Sequence, residues 1–136
     1  MNMEDIGVEN NIFEKEAIEL VQAIVNLIAE NNFSEMSEKT LINESWCGTS
    51  GSQLDGFKKF EKWITGQLAM WEEDEGVPFR VDLFSIDKLD LGDLSNGVSK
   101  SSYQPTSYGE DLDFWFEFVI FERDDNHLQI EFNVNM

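Results

Sequence analysis

The sequence has very little cysteine, no long apolar run and few basic residues. Its single cysteine, Cys47, excludes an internal disulfide. The longest apolar run is far too short for a membrane span, so an integral membrane protein is excluded. Residues 1–11 have neither a basic start nor an apolar stretch, and we therefore expect no signal peptide. Together these absences predict a reducing, cytoplasmic location.

The scarcity of basic residues leaves the chain strongly acidic. The 28 Asp and Glu residues stand against 9 Lys and Arg, for a formal net charge of −19, and the sequence pI is near 4.1. Such a field repels phosphate backbones and anionic lipid, so nucleic acid and membranes are disfavoured as partners. It would speed association with a basic protein. The alternative is that the acidity only maintains solubility.

What the chain does contain is enough apolar material for a core. Hydrophobic residues make up 41% and aromatic residues 12% of the 136 residues, including 11 Phe and 4 Trp. That content predicts a single folded domain spanning 1–136 that needs no metal or disulfide. The polar, acidic residues 1–11 are expected to be flexible.

The clearest periodic signal lies at 113–136, which predicts a β-hairpin. Every second residue from Leu128 to Met136 is apolar and those between are polar, as in a half-buried strand. Phe114, Phe116, Phe118 and Ile120 line one face of the preceding strand, and its other face is also mostly apolar. We expect that strand to be central and covered on both faces. The polar residues 122–126 would join the two strands.

Two long helices are predicted earlier in the chain. Apolar residues recur at intervals of three and four across 12–28, which indicates an amphipathic helix beginning near Ile12. A second apolar stripe begins after the capping residue Ser52 and continues to Trp71. Gly56 and Gly66 interrupt it, and we expect these glycines to mark close packing against a neighbour.

The region between the second helix and the hairpin is more polar. The alternation of Phe79, Val81 and Leu83 predicts a strand at 79–86. Residues 87–110 are rich in Ser, Gly and Asp and predict a long polar loop, in which Leu89, Leu91 and Leu94 could form a short edge strand or a turn. Helices followed by strands indicate an α+β fold. We expect two main helices packed on one face of a three- to four-stranded antiparallel sheet.

No catalytic motif is found around the cysteine or the histidine. The sequence Trp46-Cys47-Gly48 resembles the start of a thioredoxin-type redox site, but Ser50 stands where a resolving cysteine is required. Cys47 and the lone His127 could act as nucleophile and base only if the loop folded over the end of the hairpin.

Motifs for phosphate and calcium are also missing. Residues 48–52 precede a helix but lack the lysine of a phosphate-binding loop, so a helix cap is expected there. Asp87, Asp90 and Asp93 do not have the spacing of a calcium-binding loop. We therefore predict no cofactor, no metal site and no catalytic residues.

The exposed features that remain are four acidic segments, at 72–75, 87–93, 110–113 and 122–125. If two or three of them converge, they form a negative patch able to mimic a phosphate backbone. Trp71, Tyr103 and Tyr108 lie beside them in the sequence and would supply aromatic contacts. The predicted partner-binding residues are Glu72, Glu73, Asp74, Glu75, Asp87, Asp90, Asp93, Glu110, Asp111, Asp124 and Asp125.

In general character, a small, acidic α+β chain without a catalytic motif resembles bacterial immunity proteins that neutralise toxins delivered between cells, as in contact-dependent inhibition. It is also similar in kind to acidic phage inhibitors that imitate DNA. The resemblance implies tight binding to a basic toxin, often a nuclease, by covering its active site or an essential surface.

Two other classes of function are compatible with the sequence. The first is an enzyme or a small-ligand-binding domain with a pocket between sheet and helices, which would use Cys47, His127 or carboxylates. The second is an adaptor domain that forms homodimers through a sheet edge.

Overall fold

The computed structural model describes residues 3–93, 97–123 and 127–136, with the backbone alone for 3–12. The helices of these ranges are α1 (Met3–Ala29), α2 (Phe33–Lys39) and α3 (Gln53–Glu75), together with short 3-10 turns. No helix in these ranges combines the length and the apolar character that crossing a membrane requires.

The strands form a mixed sheet and a small separate pair. They are β1 (Leu41–Ile42), β2 (Leu89–Asp90), β3 (Val98–Tyr103), β4 (Thr106–Ser107), β5 (Glu110–Asp111), β6 (Trp115–Glu122) and β7 (Leu128–Asn135). The main sheet has the order β1-β7-β6-β3-β2, and β4 pairs with β5. The α+β class is confirmed. The expected three- to four-stranded antiparallel sheet is wrong in detail, because five strands are present and β1 is parallel to β7.

The hairpin β6–β7 is confirmed and lies at the centre of the sheet. Phe118 is paired with Phe132 and Ile120 with Ile130, so apolar residues face one another across the two strands. All four side chains are buried. Because strand side chains alternate between faces, this register places one apolar row of the hairpin on a single face of the sheet.

The long helices cover that face. Phe60 of α3 lies 4.8 Å from Phe132 and 6.3 Å from Phe116, measured between ring centroids. Val21 and Ile24 of α1 belong to the same buried core. The prediction that amphipathic helices pack on one face of the sheet is therefore confirmed in outline, with α2 as an additional short helix that buries Phe33 and Met36.

The second face of β6 departs from the prediction that both faces would be covered. Trp115 is 39% exposed, and Val119 and Phe121 on the same face are only half-buried. No other element of the described ranges fills the concavity in front of these strands, where a cavity opens instead. The outward side of β2, β3, β6 and β7 is called the open sheet face below.

The helix boundaries follow local signals, with one difference at the start. Helix α1 begins at Met3, so it includes most of the residues expected to be flexible, although its start was predicted near Ile12. The cap of α3 is confirmed, because the Ser52 hydroxyl accepts a hydrogen bond from the Asp55 N–H. Gly76 ends α3 in the left-handed conformation, at φ 72°.

The strand predicted at 79–86 is wrong, because residues 79–85 belong to no helix or strand and Ile86 begins a 3-10 turn. Its N–H groups are satisfied largely by side chains: that of Phe84 donates to Asn26 Oδ1 and that of Ser85 to the Tyr103 hydroxyl. The Asp82 N–H donates to the Thr106 carbonyl. Because these partners come from α1, β3 and β4, no ladder with a single neighbouring strand forms.

The long polar loop predicted at 87–110 is also wrong, since β2, β3 and β4 lie within it. Ser99 and Ser101 are buried, at positions of β3 where apolar residues would be expected. The Ser99 hydroxyl donates to the Gly92 carbonyl, and the Ser101 hydroxyl accepts from the Gly92 N–H. A Cβ at Gly92 would lie 2.1 Å from the Lys100 carbonyl oxygen, so only glycine allows this close approach. The short edge strand at Leu89 is confirmed as β2, and Leu94 lies outside the described residues.

The outer edge of β1 is capped by a side chain. The Ile42 N–H donates to Gln53 Oε1 at 2.8 Å, and Gln53 Nε2 donates to the Ile42 carbonyl at 2.9 Å. The Gln53 amide thus occupies the hydrogen-bonding groups that an added strand would need. This contact disfavours homodimerisation through the β1 edge.

The two glycines of α3 differ in their surroundings. A Cβ at Gly56 would lie 2.7 Å from Ile42 Cγ2 and 3.0 Å from Cys47 Sγ, whereas nothing lies within 4 Å of a Cβ at Gly66. Close packing is therefore confirmed for Gly56, and the expectation is wrong for Gly66.

We predict opposite effects of alanine at these two glycines. Gly56→Ala should lower the free energy of unfolding by about 1–2 kcal/mol, because overpacking outweighs the gain in helix propensity. Gly66→Ala should raise it by about 0.5–1 kcal/mol, since only backbone entropy changes. Urea denaturation of both variants measures the difference. A shift of the same sign at both positions would contradict the packing described for Gly56.

Candidate functional site

Two of the predicted acidic segments converge at an acidic groove. The groove lies where the C-terminal end of α3 meets β5 and the residues that lead into β6, and its volume is about 270 Å³. Four of its lining residues are acidic and none is basic. The full lining consists of Trp71, Glu75, Phe79, Glu110, Asp111, Leu112 and Asp113.

Aromatic rings fix the floor of the acidic groove. The Trp71 ring stacks on Phe114 at 6.0 Å between centroids with an interplanar angle of 17°, and it lies 5.8 Å from Phe79. Phe114 is buried, while Trp71 and Phe79 are half-buried. The accessible part of Trp71 is thus held rigidly beside carboxylates, as is typical of contact residues at protein interfaces.

The hairpin β4–β5 presents Glu110 and Asp111 to the groove. Its two turn residues, Tyr108 and Gly109, both have positive φ, 49° and 83°, as a tight two-residue hairpin turn requires. The Arg80 guanidinium lies 4.0 Å from the centre of the Tyr108 ring. This contact stabilises a tyrosine in a conformation that residues with a Cβ rarely adopt.

The carboxylate of Asp82 anchors the same turn. It accepts hydrogen bonds from the N–H groups of Tyr108 and Gly109, from the Thr106 hydroxyl and from Arg80 Nε, at 2.7–3.0 Å. Burial by itself raises the pKa of Asp82, but these hydrogen bonds favour the charged form more strongly, and the net pKa is lowered. Its side chain is 17% exposed, so the anchor is largely shielded from water.

A lysine borders the groove without lining it. Lys88 Nζ lies 2.7 Å from Asp111 Oδ1, and this hydrogen bond is the main reason that the pKa of Lys88 is raised. The pair offsets one of the four groove carboxylates. Glu75, Glu110 and Asp113 form no ion pair with the described residues, and all three are exposed.

The acids at the end of α3 are unfavourable for the helix itself. Glu72, Glu73, Asp74 and Glu75 are all exposed and lie in the last turn, where the helix dipole is negative. The described last turn contains no basic residue to offset them. Local helix stability therefore does not explain this run of charges.

The other predicted acids are dispersed. Asp87 is exposed in the 3-10 turn Ile86–Lys88, and Asp93 is exposed beyond β2. Asp90 lies on the open sheet face rather than in the groove. Asp124 and Asp125 fall outside the described residues. Among the described residues, the groove is thus assembled from two of the acidic segments, 72–75 and 110–113.

The three aromatic residues predicted beside the acids lie in three different environments. Trp71 lies in the groove, and Tyr108 is exposed at the β4–β5 turn. Tyr103 is 1% exposed, so the expectation of a surface contact is wrong for it. Its hydroxyl accepts from the Ser85 N–H at 2.9 Å, and burial raises the pKa of this phenol.

A second concavity, on the open sheet face, was missed by sequence reasoning. It has a volume of about 370 Å³, and its polar lining includes Asp90, Lys100, Glu117, Glu131 and Asn133. The sequence contained one signal for this concavity. Glu117 is a polar residue within an otherwise apolar strand face, and it lies opposite the polar positions of β7. That pattern is typical of a face left open to solvent.

The nucleophile and base considered from the sequence are far apart. Cys47 is buried, with its sulfur near the Asn43 carbonyl and Gln53 Nε2. It follows Trp46, whose Nε1 donates to Asn133 Oδ1, whereas exposed His127 precedes the other end of β7. The six residue steps from position 127 to position 133 span about 20 Å in a strand. Within the part of the chain that the structure describes, no group of three or more His, Cys, Asp or Glu side chains could hold a metal ion.

No protein-family model, no curated protein and no solved structure matches the chain.

We predict that Asp82→Asn destabilises the fold in a pH-dependent way. An amide places N–H donors against the donors of Thr106 and Gly109, so the free energy of unfolding at neutral pH should fall by about 1–3 kcal/mol. Because the pKa of Asp82 is lowered in the folded state, its contribution is present above the unfolded pKa and is lost as pH falls through the folded value. The difference from the wild type should therefore shrink at acidic pH.

Urea denaturation at neutral pH and at about pH 3 measures this dependence. Asp93→Asn removes an exposed carboxylate and is the matched control, with an expected change within about 0.5 kcal/mol. A constant Asp82→Asn effect across this pH range would contradict the role of the carboxylate.

Proposed function

We propose that this protein is a non-enzymatic binding protein that neutralises a basic protein, in the manner of a bacterial immunity protein acting on a toxin. The acidic groove is the partner-binding surface, with Glu75, Glu110 and Asp113 as its available carboxylates. A nuclease is a suitable partner, because its cationic substrate-binding surface is complementary to such a groove. The complex would form in the cytoplasm.

The convergence of the acids is the observation that carries this proposal. Glu75, Glu110 and Asp113 line the same groove of about 270 Å³, and none of them is paired with a described basic residue. A cation inside the groove is therefore attracted by three carboxylates at once. Scattered acids would be screened from one another and would contribute solubility alone.

The aromatic floor adds an apolar contact surface to the negative charge of the groove. The half-buried ring of Trp71, held against Phe114, can cover the aliphatic part of a lysine or arginine that pairs with Glu75. Charge attracts the partner over distance, while a fixed aromatic surface contributes short-range contact. This combination favours a protein partner over simple counterions.

The interior of the fold leaves little room for a small ligand between sheet and helices. The cavity of about 90 Å³ between α1, α3 and residues 79–81 is much smaller than typical ligand pockets. Among the described residues, every buried side-chain nitrogen or oxygen has a hydrogen-bond partner. The scaffold is thus complete without a ligand between sheet and helices, which counts against that alternative.

We predict that neutralising the groove slows binding of the basic partner captured from the native cell. The triple variant E75Q/E110Q/D113N should lower the association rate constant on the order of tenfold at low salt, because electrostatic steering is weakened. Biolayer interferometry at several ionic strengths measures the rates. For the wild type, the association rate should fall steeply as salt is added.

The control variant E14Q/E16Q/E19Q removes the same number of charges from exposed positions of α1. It should retain most of the wild-type association rate. Equal losses of association rate in both triple variants would mean that the overall negative charge of the surface speeds association, and that the groove has no special role. Binding that is insensitive to salt would overturn the proposed mechanism.

A further inference from the structure

The open sheet face is a second concave surface that the proposed groove does not include. Its cavity of about 370 Å³ lies over the central strands, whereas the groove lies at the end of α3. The side chains of β6 and β7 point alternately to the helices and to this face. Glu117, Val119 and Glu131 are therefore neighbours here, on the side away from the core.

The strand register places two carboxylates diagonally across β6 and β7. Glu117 is opposite Asn133, and Val119 is opposite Glu131. Diagonal neighbours of this kind lie about 7–8 Å apart, with their Cβ atoms somewhat closer. That separation leaves room for one planar cation between the two carboxylates, above Val119.

Hydrogen bonds hold part of this arrangement in place. Asn43 Nδ2 donates to Glu131 Oε2 at 3.2 Å, and Trp46 Nε1 donates to Asn133 Oδ1 at 2.8 Å. Asn133 Oδ1 also accepts from the Val134 N–H. Glu117 has no hydrogen-bond partner among the described side chains and is half-buried, so its carboxylate is available to a ligand.

The charges of the cavity favour a cation. Asp90, Glu117 and Glu131 stand against one basic residue, Lys100. Lys100 forms no ion pair with any described residue. Trp115 and Phe121 of β6 extend the same face on either side as partly exposed aromatic surface.

We propose that the open sheet face is a docking surface for a basic protein and that an arginine side chain of that protein enters the cavity between Glu117 and Glu131. The guanidinium has five N–H donors in a planar fork, which suits two carboxylates better than an ammonium does. Its aliphatic stem would contact Val119, and neighbouring side chains of the partner would contact Trp115. The choice of a basic protein rests on the proposed function, while the arginine site itself does not.

Other occupants fit this face less well. A second copy of the chain would bring its own net charge of −19 against three carboxylates, and a phosphate backbone would be repelled in the same way. Lys100 acts as an internal competitor, because its ammonium reduces the attraction for an incoming cation. Its removal should therefore tighten the binding of an arginine.

The test is an NMR titration of the full ¹⁵N-labelled chain with N-acetyl-argininamide. The wild type should show shift changes at Ser102, Glu117, Val119, Glu131 and Asn133. N-acetyl-citrullinamide, a neutral isostere, should cause none, and N-acetyl-lysinamide should bind more weakly. E117Q/E131Q should weaken argininamide binding at least tenfold, and Lys100→Met should tighten it several-fold.

The α1 variant E14Q/E16Q/E19Q, whose charges lie outside both surfaces, is the matched control and should bind argininamide as the wild type does. Shift changes confined to residues 75 and 110–113, equal affinity for argininamide and citrullinamide, or no effect of E117Q/E131Q would each overturn the arginine site. Lys100→Met provides an independent readout in which a gain of affinity is expected, so loss of folding cannot produce it.

The experiments can contradict one of the two proposals without contradicting the other. If argininamide does not bind the open sheet face but the groove variant still slows capture of the basic partner, the arginine site is wrong and the proposed function stands. If argininamide binds as expected while the basic partner ignores the groove variant, the sheet face is a cation site and the proposed function is wrong.

Discussion

The contact of Phe60 with the central hairpin determines how α3 lies on the sheet. Its ring packs against Phe116 and Phe132, and the aromatic row continues along α3 through Trp63 and Trp71, which both contact Phe114. The same row that fills the core therefore ends as the floor of the acidic groove. Any displacement of α3 along the sheet would move Glu75 relative to Asp113. The geometry of the groove thus depends on packing in the interior.

This aromatic core also explains how the chain tolerates its charge. A net charge of −19 opposes compaction through self-repulsion, although salt screens much of that effect. Each fully buried phenylalanine contributes about 2–3 kcal/mol through the area it removes from water. Phe116, Phe118 and Phe132 are all 0% exposed. The scaffold can consequently hold exposed acids at positions, such as the end of α3, where they weaken the local helix.

Elements could be predicted from the sequence where the spacing of apolar residues matches the side chains that are buried in the structure. The hairpin and the amphipathic helices follow from alternation and from three- and four-residue spacing. Strand β3 was missed because Ser99 and Ser101 occupy its inward positions and their hydroxyls bind Gly92, which no periodicity of apolar residues reveals. Residues 79–86 show the opposite case. They alternate like a strand, but Asn26 and Tyr103 side chains bind their N–H groups in place of a neighbouring strand.

The sequence identified individual residues of the candidate surfaces but not how these residues come together. Glu75, Glu110 and Asp111 were each recognised as exposed acids, yet their convergence depends on the length of α3 and on the Asp82 carboxylate that fixes the β4–β5 turn. These are contacts between distant parts of the chain. The open sheet face was missed for a related reason, since the apolar residues of β6 suggested a cover that no described element provides.

The two surfaces lie on opposite sides of the sheet but meet where β6 begins. Asp113 lines the groove, Trp115 is two residues later on the open sheet face, and Glu117 lines the cavity of that face. The four residue steps from Asp113 to Glu117 span about 13 Å in an extended chain. A partner would therefore have to reach around this end of the sheet to engage both surfaces at once. Trp115 lies between the two surfaces and is 39% exposed. A partner that engages both surfaces would have to cover it, so Trp115 would lie at the centre of the shared interface.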